Sequence, residues 1–125
     1  MVVVDTSILI DHLRGNTEAR EALRTAADSG RRVSASVVTK VEVLAGMRAS
    51  EEEETRRLLD VIDWIAVDEA IAEHAGALAN TYLRSHPGVD PIDYIIAATA
   101  QALDADLWTT NLKHFPMFPQ LTSPY

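Results

Sequence analysis

The sequence predicts an α/β fold with a small central parallel sheet of four to five strands flanked by helices, in a single domain spanning residues 1–125. Three observations predict it. The chain opens on a short β-branched run, Val2 to Val4, of the kind buried on both faces of a sheet. Three further short runs, Val33 to Ala35, Trp64 to Val67 and Asp106 to Thr109, follow at wide intervals. Between them, apolar residues recur at helical spacing. Strands that alternate with helices form parallel sheets, because a parallel pair needs a crossover long enough to hold a helix.

Each element has its own signal. After Val2–Val4, Asp5-Thr6-Ser7 reads as a turn and Ile8 to Leu13 as a short helix stopped near Gly15. Asn16 suits the N-cap of a second helix, whose face is Ala19, Ala22, Leu23, Ala26 and Ala27, with Gly30 at its end. Val37 to about Ala49 fits a third helix. Ser50 and Glu53 have capping-box spacing for a fourth, with Leu58, Leu59 and Ile62 on its apolar face. Asp68 caps a fifth helix carrying Ile71, Ala75, Leu78, Ala79 and Tyr82, and Pro87-Gly88 breaks the chain. Asp90 as N-cap, Pro91 at N1 and Asp93 at N3 open a sixth that runs to about Leu103. The proline-rich tail reads as irregular, with a short edge strand near Leu121.

With 125 residues and 47% hydrophobic content, the composition suits one packed domain. No apolar run is long enough for a membrane span. The opening MVVVDTSILID lacks the basic start of a signal peptide, so a cytoplasmic location is expected. The absence of cysteine excludes disulfides and thiolate zinc sites, and leaves hard cations held by oxygen or imidazole. The formal net charge of −8 argues against a nucleic-acid coat protein. It does not exclude a nucleic-acid enzyme, because clustered carboxylates bind phosphate through bridging cations.

Certain carboxylates fall where such a cluster would form. In open parallel sheets, sites form beyond the carboxyl ends of the strands. Asp5 follows the first strand, Thr109 and Asn111 close the fourth, and Asp93 lies in the first turn of the helix feeding that strand. Glu42 lies between Val41 and Val43 in an apolar helix, where an acid is costly unless a cation or hydrogen bonds compensate it. Each also has an ordinary reading. Asp5 could close an Asx-turn, Glu42 could face solvent, and Asp93 could be a favourable acid at a helix N-terminus. Asp90 reads as a cap. His74 and His86 read as exposed or half-exposed helix residues, and Trp64 and Trp108 as core or sheet residues. His114, just beyond the site strand, is less easily set aside.

Three blocks together carry a family resemblance. VVVDTSILID at Val2 to Asp11, TKVEVLAG at Thr39 to Gly46 and DYIIAATAQALDADLWTTNLKHF at Asp93 to Phe115 resemble, in order, the acid-bearing segments of PIN domains. The compact size and the spacing look like the VapC toxins of bacterial toxin–antitoxin pairs. The resemblance implies an endoribonuclease that uses Mg²⁺, or Mn²⁺ in its place. It implies metal-binding and catalytic acids at Asp5, Glu42 and Asp93, with hydroxyls of Thr6, Ser7 and Thr109 orienting the pocket. It also implies cleavage of transfer or ribosomal RNA to 5′-phosphate and 3′-hydroxyl ends, a homodimer, and a VapB-type antitoxin whose tail covers the acids. At the fourth acidic position the chain departs from the pattern: Asn111 stands where some members have Asp, and His114 where others have Asp before Phe. Asn111 is retained among the catalytic candidates for its amide oxygen. Arg14, Lys40, Arg48 and Lys113 flank the blocks and are candidate RNA phosphate contacts, with ordinary surface charge as the alternative.

Competing readings fit less well. A dehalogenase-type phosphatase wants a second Asp two residues after the first, where this chain has Ser7. A dinucleotide-binding fold wants a glycine-rich turn after the first strand, which is absent. The alternative of another class is a catalytically silent RNA- or protein-binding PIN module, favoured only by the missing fourth acid.

Overall fold

The computed structural model describes residues 1–125. Its four strands are β1 (Val2–Val4), β2 (Val33–Ser36), β3 (Asp63–Ile65) and β4 (Asp106–Trp108), all parallel, in the order β3-β2-β1-β4. The six helices are α1 (Thr6–Leu13), α2 (Thr17–Asp28), α3 (Val37–Ala45), α4 (Glu52–Asp60), α5 (Glu69–Tyr82) and α6 (Pro91–Ala102). No helix is long and apolar enough to cross a membrane.

β1 is central, and its three valines are fully buried because side chains alternate between two cores. Val4 packs with Ile8, Leu9, Leu23, Val43, Leu58 and Leu59 of α1 to α4 on one face. Val3 packs with Ile71, Ala75, Ile96, Ala97 and Ala100 of α5 and α6 on the other. The chain steps from β1 to β2 to β3 in one direction, then returns across the sheet through α5 and α6 to β4. Right-handed crossovers in opposite directions place helices on opposite faces. The strand order therefore reverses between β1 and β4, the point beyond whose carboxyl ends open α/β sheets place their sites.

Several boundaries differ from the sequence expectation. Thr6 and Ser7 are not a free turn but the first turn of α1, because Asp5 caps that helix. α3 stops at Ala45, with Gly46 as its cap, rather than near Ala49. Ser50 forms no capping box. Instead the Arg48 N–H donates to Glu51 at 2.8 Å and a 3₁₀ turn, Ala49–Glu51, leads into α4. β3 begins one residue early, at Asp63, which faces Ser34 across the ladder and forms an ion pair with Arg32. No fifth strand forms near Leu121. Leu121 and Phe118 turn against the α5–α6 core, and Tyr125 reaches the opposite core, where its hydroxyl donates to Asp11 at 2.6 Å.

Candidate active site

The register of β1 against β4 builds the centre of the site. Val4 stands opposite Trp108, so the next residues, Asp5 and Thr109, emerge side by side at the reversal point. The Asp5 N–H continues the ladder by donating to the Trp108 carbonyl at 2.8 Å. Asp5 is 3% exposed. Its Oδ1 accepts from the Thr6 N–H at 2.8 Å, and its Oδ2 accepts from the hydroxyls of Thr109 at 2.7 Å and Ser7 at 3.1 Å. Thr109 Oγ1 in turn accepts from the Asn111 N–H at 3.0 Å, and Ser7 Oγ from the Thr110 N–H at 3.2 Å. These bonds lock the loops after β1 and β4 to one carboxylate. Asp5 is thus a helix cap, and its second oxygen joins it to the loop after β4 as a candidate site acid.

Glu42 is half-buried rather than solvent-facing. α3 turns it toward α1, where the Thr6 hydroxyl donates to its Oε1 at 2.5 Å. Thr39, one turn earlier on the same face, is fully buried, and its hydroxyl oxygen lies 3.3 Å from that of Thr6. Sequence reasoning passed over Thr39, although its i,i+3 spacing to Glu42 was available as a signal. Thr6 therefore reaches Glu42 with its side chain and Asp5 with its backbone.

Asp93 approaches from α6. Asp90 Oδ1 accepts from the N–H groups of Ile92 at 2.8 Å and Asp93 at 3.2 Å, and Asp93 Oδ2 accepts from the Asp90 N–H at 3.2 Å. This reciprocal capping box aims the Asp93 carboxylate out of the helix start. His114 stands against it, with Nδ1 3.3 Å from Asp93 Oδ2. Burial raises the Asp93 pKa to about 6. The Asp90 N–H and His114 oppose that rise, while the charges of Asp90 and Asp5 add to it. Asp5 and Asp93 are thus near enough to feel each other's charge.

The other sequence candidates lie further out. Asn111 is exposed and engages through its backbone. Lys113 is exposed in the 3₁₀ turn Leu112–His114. Arg14 and Arg48, both exposed, line one cleft of about 210 Å³ between the C-terminal ends of α1 and α3. Lys40 places its ammonium 4.7 Å from the Trp64 ring centre. Trp64 and Trp108 pack against the α1–α4 core, and the Trp64 indole N–H donates to the Leu59 carbonyl. His74 is exposed and His86 half-exposed.

No three Asp, Glu or His side chains stand together as a ready-made metal cage. The acids are held by protein donors instead. The donor set nonetheless suits a hard divalent cation. Magnesium keeps several of its waters and takes one or two carboxylates, and Asp5 with Asp93 are two oxygen donors whose repulsion a cation would relieve.

Comparison with known proteins gives this arrangement a family. The PIN domain profile matches residues 2–116. Ribonuclease VapC19 of Mycobacterium tuberculosis is 46% identical over 125 residues, covering the whole of both chains. Ribonuclease VapC10 of the same organism is 43% identical over 125 residues, all of this chain and 93% of the relative. A toxin–antitoxin complex from Klebsiella pneumoniae contains a chain that superposes with a TM-score of 0.82 at 32% identity, covering 100% of this chain and 98% of that one. VapBC2 from Rickettsia felis, bound to a promoter DNA fragment, shares the fold with a TM-score of 0.76 at 21% identity, over 98% of this chain and 97% of the other. With Asp5, Glu42 and Asp93 each carried at the start or on the inner face of a helix around one sheet reversal, and with relatives of this similarity along its full length, the chain belongs to the PIN-domain family, among the VapC ribonucleases.

Proposed function

We propose that this chain is the toxin of a type II toxin–antitoxin pair and an endoribonuclease that hydrolyses phosphodiester bonds in RNA with the help of Mg²⁺ or Mn²⁺. One observation carries the reading: Asp5 at the sheet reversal and Asp93 at the start of α6 are carboxylates almost wholly withdrawn from water, 3% and 8% exposed. Carboxylates held out of water favour a cationic ligand. The ribonuclease names of the VapC relatives support RNA as the substrate.

Asp5 and Asp93 would hold the cation, and Glu42 lies nearby to bind it or to orient water. When bound, the cation neutralises charge developing on the phosphate oxygens and lowers the pKa of an attacking water. Thr109 and Ser7 fix the Asp5 carboxylate, Thr6 fixes Glu42, and the Asp90 cap fixes Asp93, so the acids need little reorganisation during the reaction. Asn111 would present its amide oxygen to water at the rim. Arg14 and Arg48 would receive a phosphate of the flanking strand, and Lys113 another; Lys40, over Trp64, is the less free of the four.

The partner is a VapB-type antitoxin, as in the VapBC complexes that share the fold. Arg or Lys side chains on its tail would cover the carboxylates. The toxin itself would act as a homodimer on transfer or ribosomal RNA. The test is to map RNA ends in cells after inducing the wild type and Asp5→Asn. The expected result is new 5′-phosphate ends at discrete sites for the wild type only. Identical ends with both proteins would contradict the assignment. Tight RNA binding without cleavage at any metal concentration would favour the silent module instead.

A further inference from the structure

Two residues contend for the place of the fourth acid in the family pattern, and the structure separates them. The Asn111 side chain is exposed and makes no hydrogen bond within the protein. His114, three residues on, is brought inward by the 3₁₀ turn Leu112–His114, which is anchored by the buried Phe115. Its Nδ1 lies 3.3 Å from Asp93 Oδ2. The Asp93 side chain is only 11% exposed, yet its Oδ1 accepts none of the protein's hydrogen bonds. One face of a nearly buried carboxylate is therefore left for another partner.

The 3.3 Å separation has a second meaning. Two neighbouring ligands of an octahedral ion, each bound at about 2.1 Å, stand about 3 Å apart. The spacing of an imidazole nitrogen and a carboxylate oxygen in an ion pair is thus close to the bite of one cation. Nitrogen donors also change which cation is preferred. Carboxylate and water suit magnesium and manganese alike, but an imidazole nitrogen is a softer donor, which magnesium, the harder of the two ions, takes less readily.

Resting on the metal-dependent reading above, the geometry points to His114 as a nitrogen ligand that joins Asp93 in the cation site and tilts this chain from Mg²⁺ toward Mn²⁺. The missing negative charge at the fourth position is then a change of donor type rather than an empty place. His114 would act by holding the cation and not by exchanging protons with the substrate.

The test uses the full chain and Mn²⁺ alone as probe, with pulsed electron paramagnetic resonance to detect coupling between the manganese electrons and a ligating ¹⁴N. The wild type should show imidazole coupling, and His114→Gln and His114→Asp should lose it. Single Gln variants of His12, His74 and His86 should keep it. Competition titration should show the preference for Mn²⁺ over Mg²⁺ falling in His114→Asp by roughly the tenfold that loss of even a supporting group beside a metal costs. Bound manganese without ¹⁴N coupling in the wild type would overturn the ligand assignment while leaving the metal-dependent nuclease intact. Coupling that survives in His114→Gln would do the same. Failure of the wild type to bind Mn²⁺ at all would overturn both.

Discussion

Among the site side chains, Asp93 has the most evident energetic cost. Its pKa is raised to about 6, chiefly by burial, whereas an unfolded Asp titrates near ~4. Between those values the folded chain binds the proton more tightly than the unfolded one, so stability falls as pH rises through that window. The groups that face Asp93 are Asp90, Asp5 and His114. Asp93→Asn removes the penalty and keeps an oxygen that can accept from the Asp90 N–H. The variant should lose RNA cleavage, yet melt at a higher temperature than the wild type at pH 7 to 8, with the advantage shrinking toward pH 4. Thermal melts across that range check this, and a constant offset at all pH values would contradict it. In the wild type without added metal, the charged carboxylate forms as pH rises through about 6. A divalent cation competes with that proton and should move the acid limb of activity to lower pH.

Thr109 acts on the other buried acid. Thr109→Val deletes one of three donors to Asp5 and should destabilise the chain by about 1–3 kcal/mol in urea titrations, whereas Thr109→Ser keeps the hydroxyl and should stay close to the wild type. An orienting hydroxyl at Thr109 was legible only through the family resemblance, which implies it. The handshake between Thr6 and Glu42 was not. It depends on how α1 and α3 pack side by side, and helical spacing within one element says nothing about rotation against another.

At the scale of elements, the local chemistry of caps and breaks carried most of the expectation. Asn16, Asp68 and Asp90 cap the helices assigned to them. Where two cap signals competed, the expectation slipped. Gly46 ends α3, while the read-through to Ala49 followed helix-compatible residues beyond it. Glu51 serves the Arg48 N–H and so displaces Ser50 and Glu53 as the start of the next helix. At the chain end, apolar residues near Leu121 suggested an edge strand, but Pro119 and Pro124 limit ladder bonds and Leu121 is used for core packing instead. The α6 cap ties an element to the site. Asp90→Ala should cost about 1 kcal/mol of stability through the lost cap, and should also weaken metal binding by loosening the first turn of α6 that carries Asp93. Asp90→Asn retains an acceptor and should largely rescue both. Calorimetric Mn²⁺ titration of the two variants checks this; equal affinities would show that the cap does not aim Asp93.

For the whole molecule, the alternation of strands and helices was enough to foresee a parallel sheet, and Asp5 and Thr109 do stand just past the carboxyl ends of neighbouring strands. The strand order was not legible. It is set by which faces of α1 to α6 bury best on the two sides of β1, and that depends on contacts distant in sequence. The reversal between β1 and β4 is what gives the separate motifs a common location. It also bears on how a chain with net charge −8 can act on a polyanion, since a cation held between Asp5 and Asp93 would invert the local charge.

The most direct measurement is cleavage of an unstructured RNA by the purified chain with Mg²⁺, with a chelator, and with Asp5→Asn in place of the wild type. The wild type should cut with Mg²⁺ and not with the chelator, and Asp5→Asn should not cut although it remains folded. Undiminished cutting in the chelator, or by the folded Asp5→Asn protein, would contradict the metal-dependent assignment.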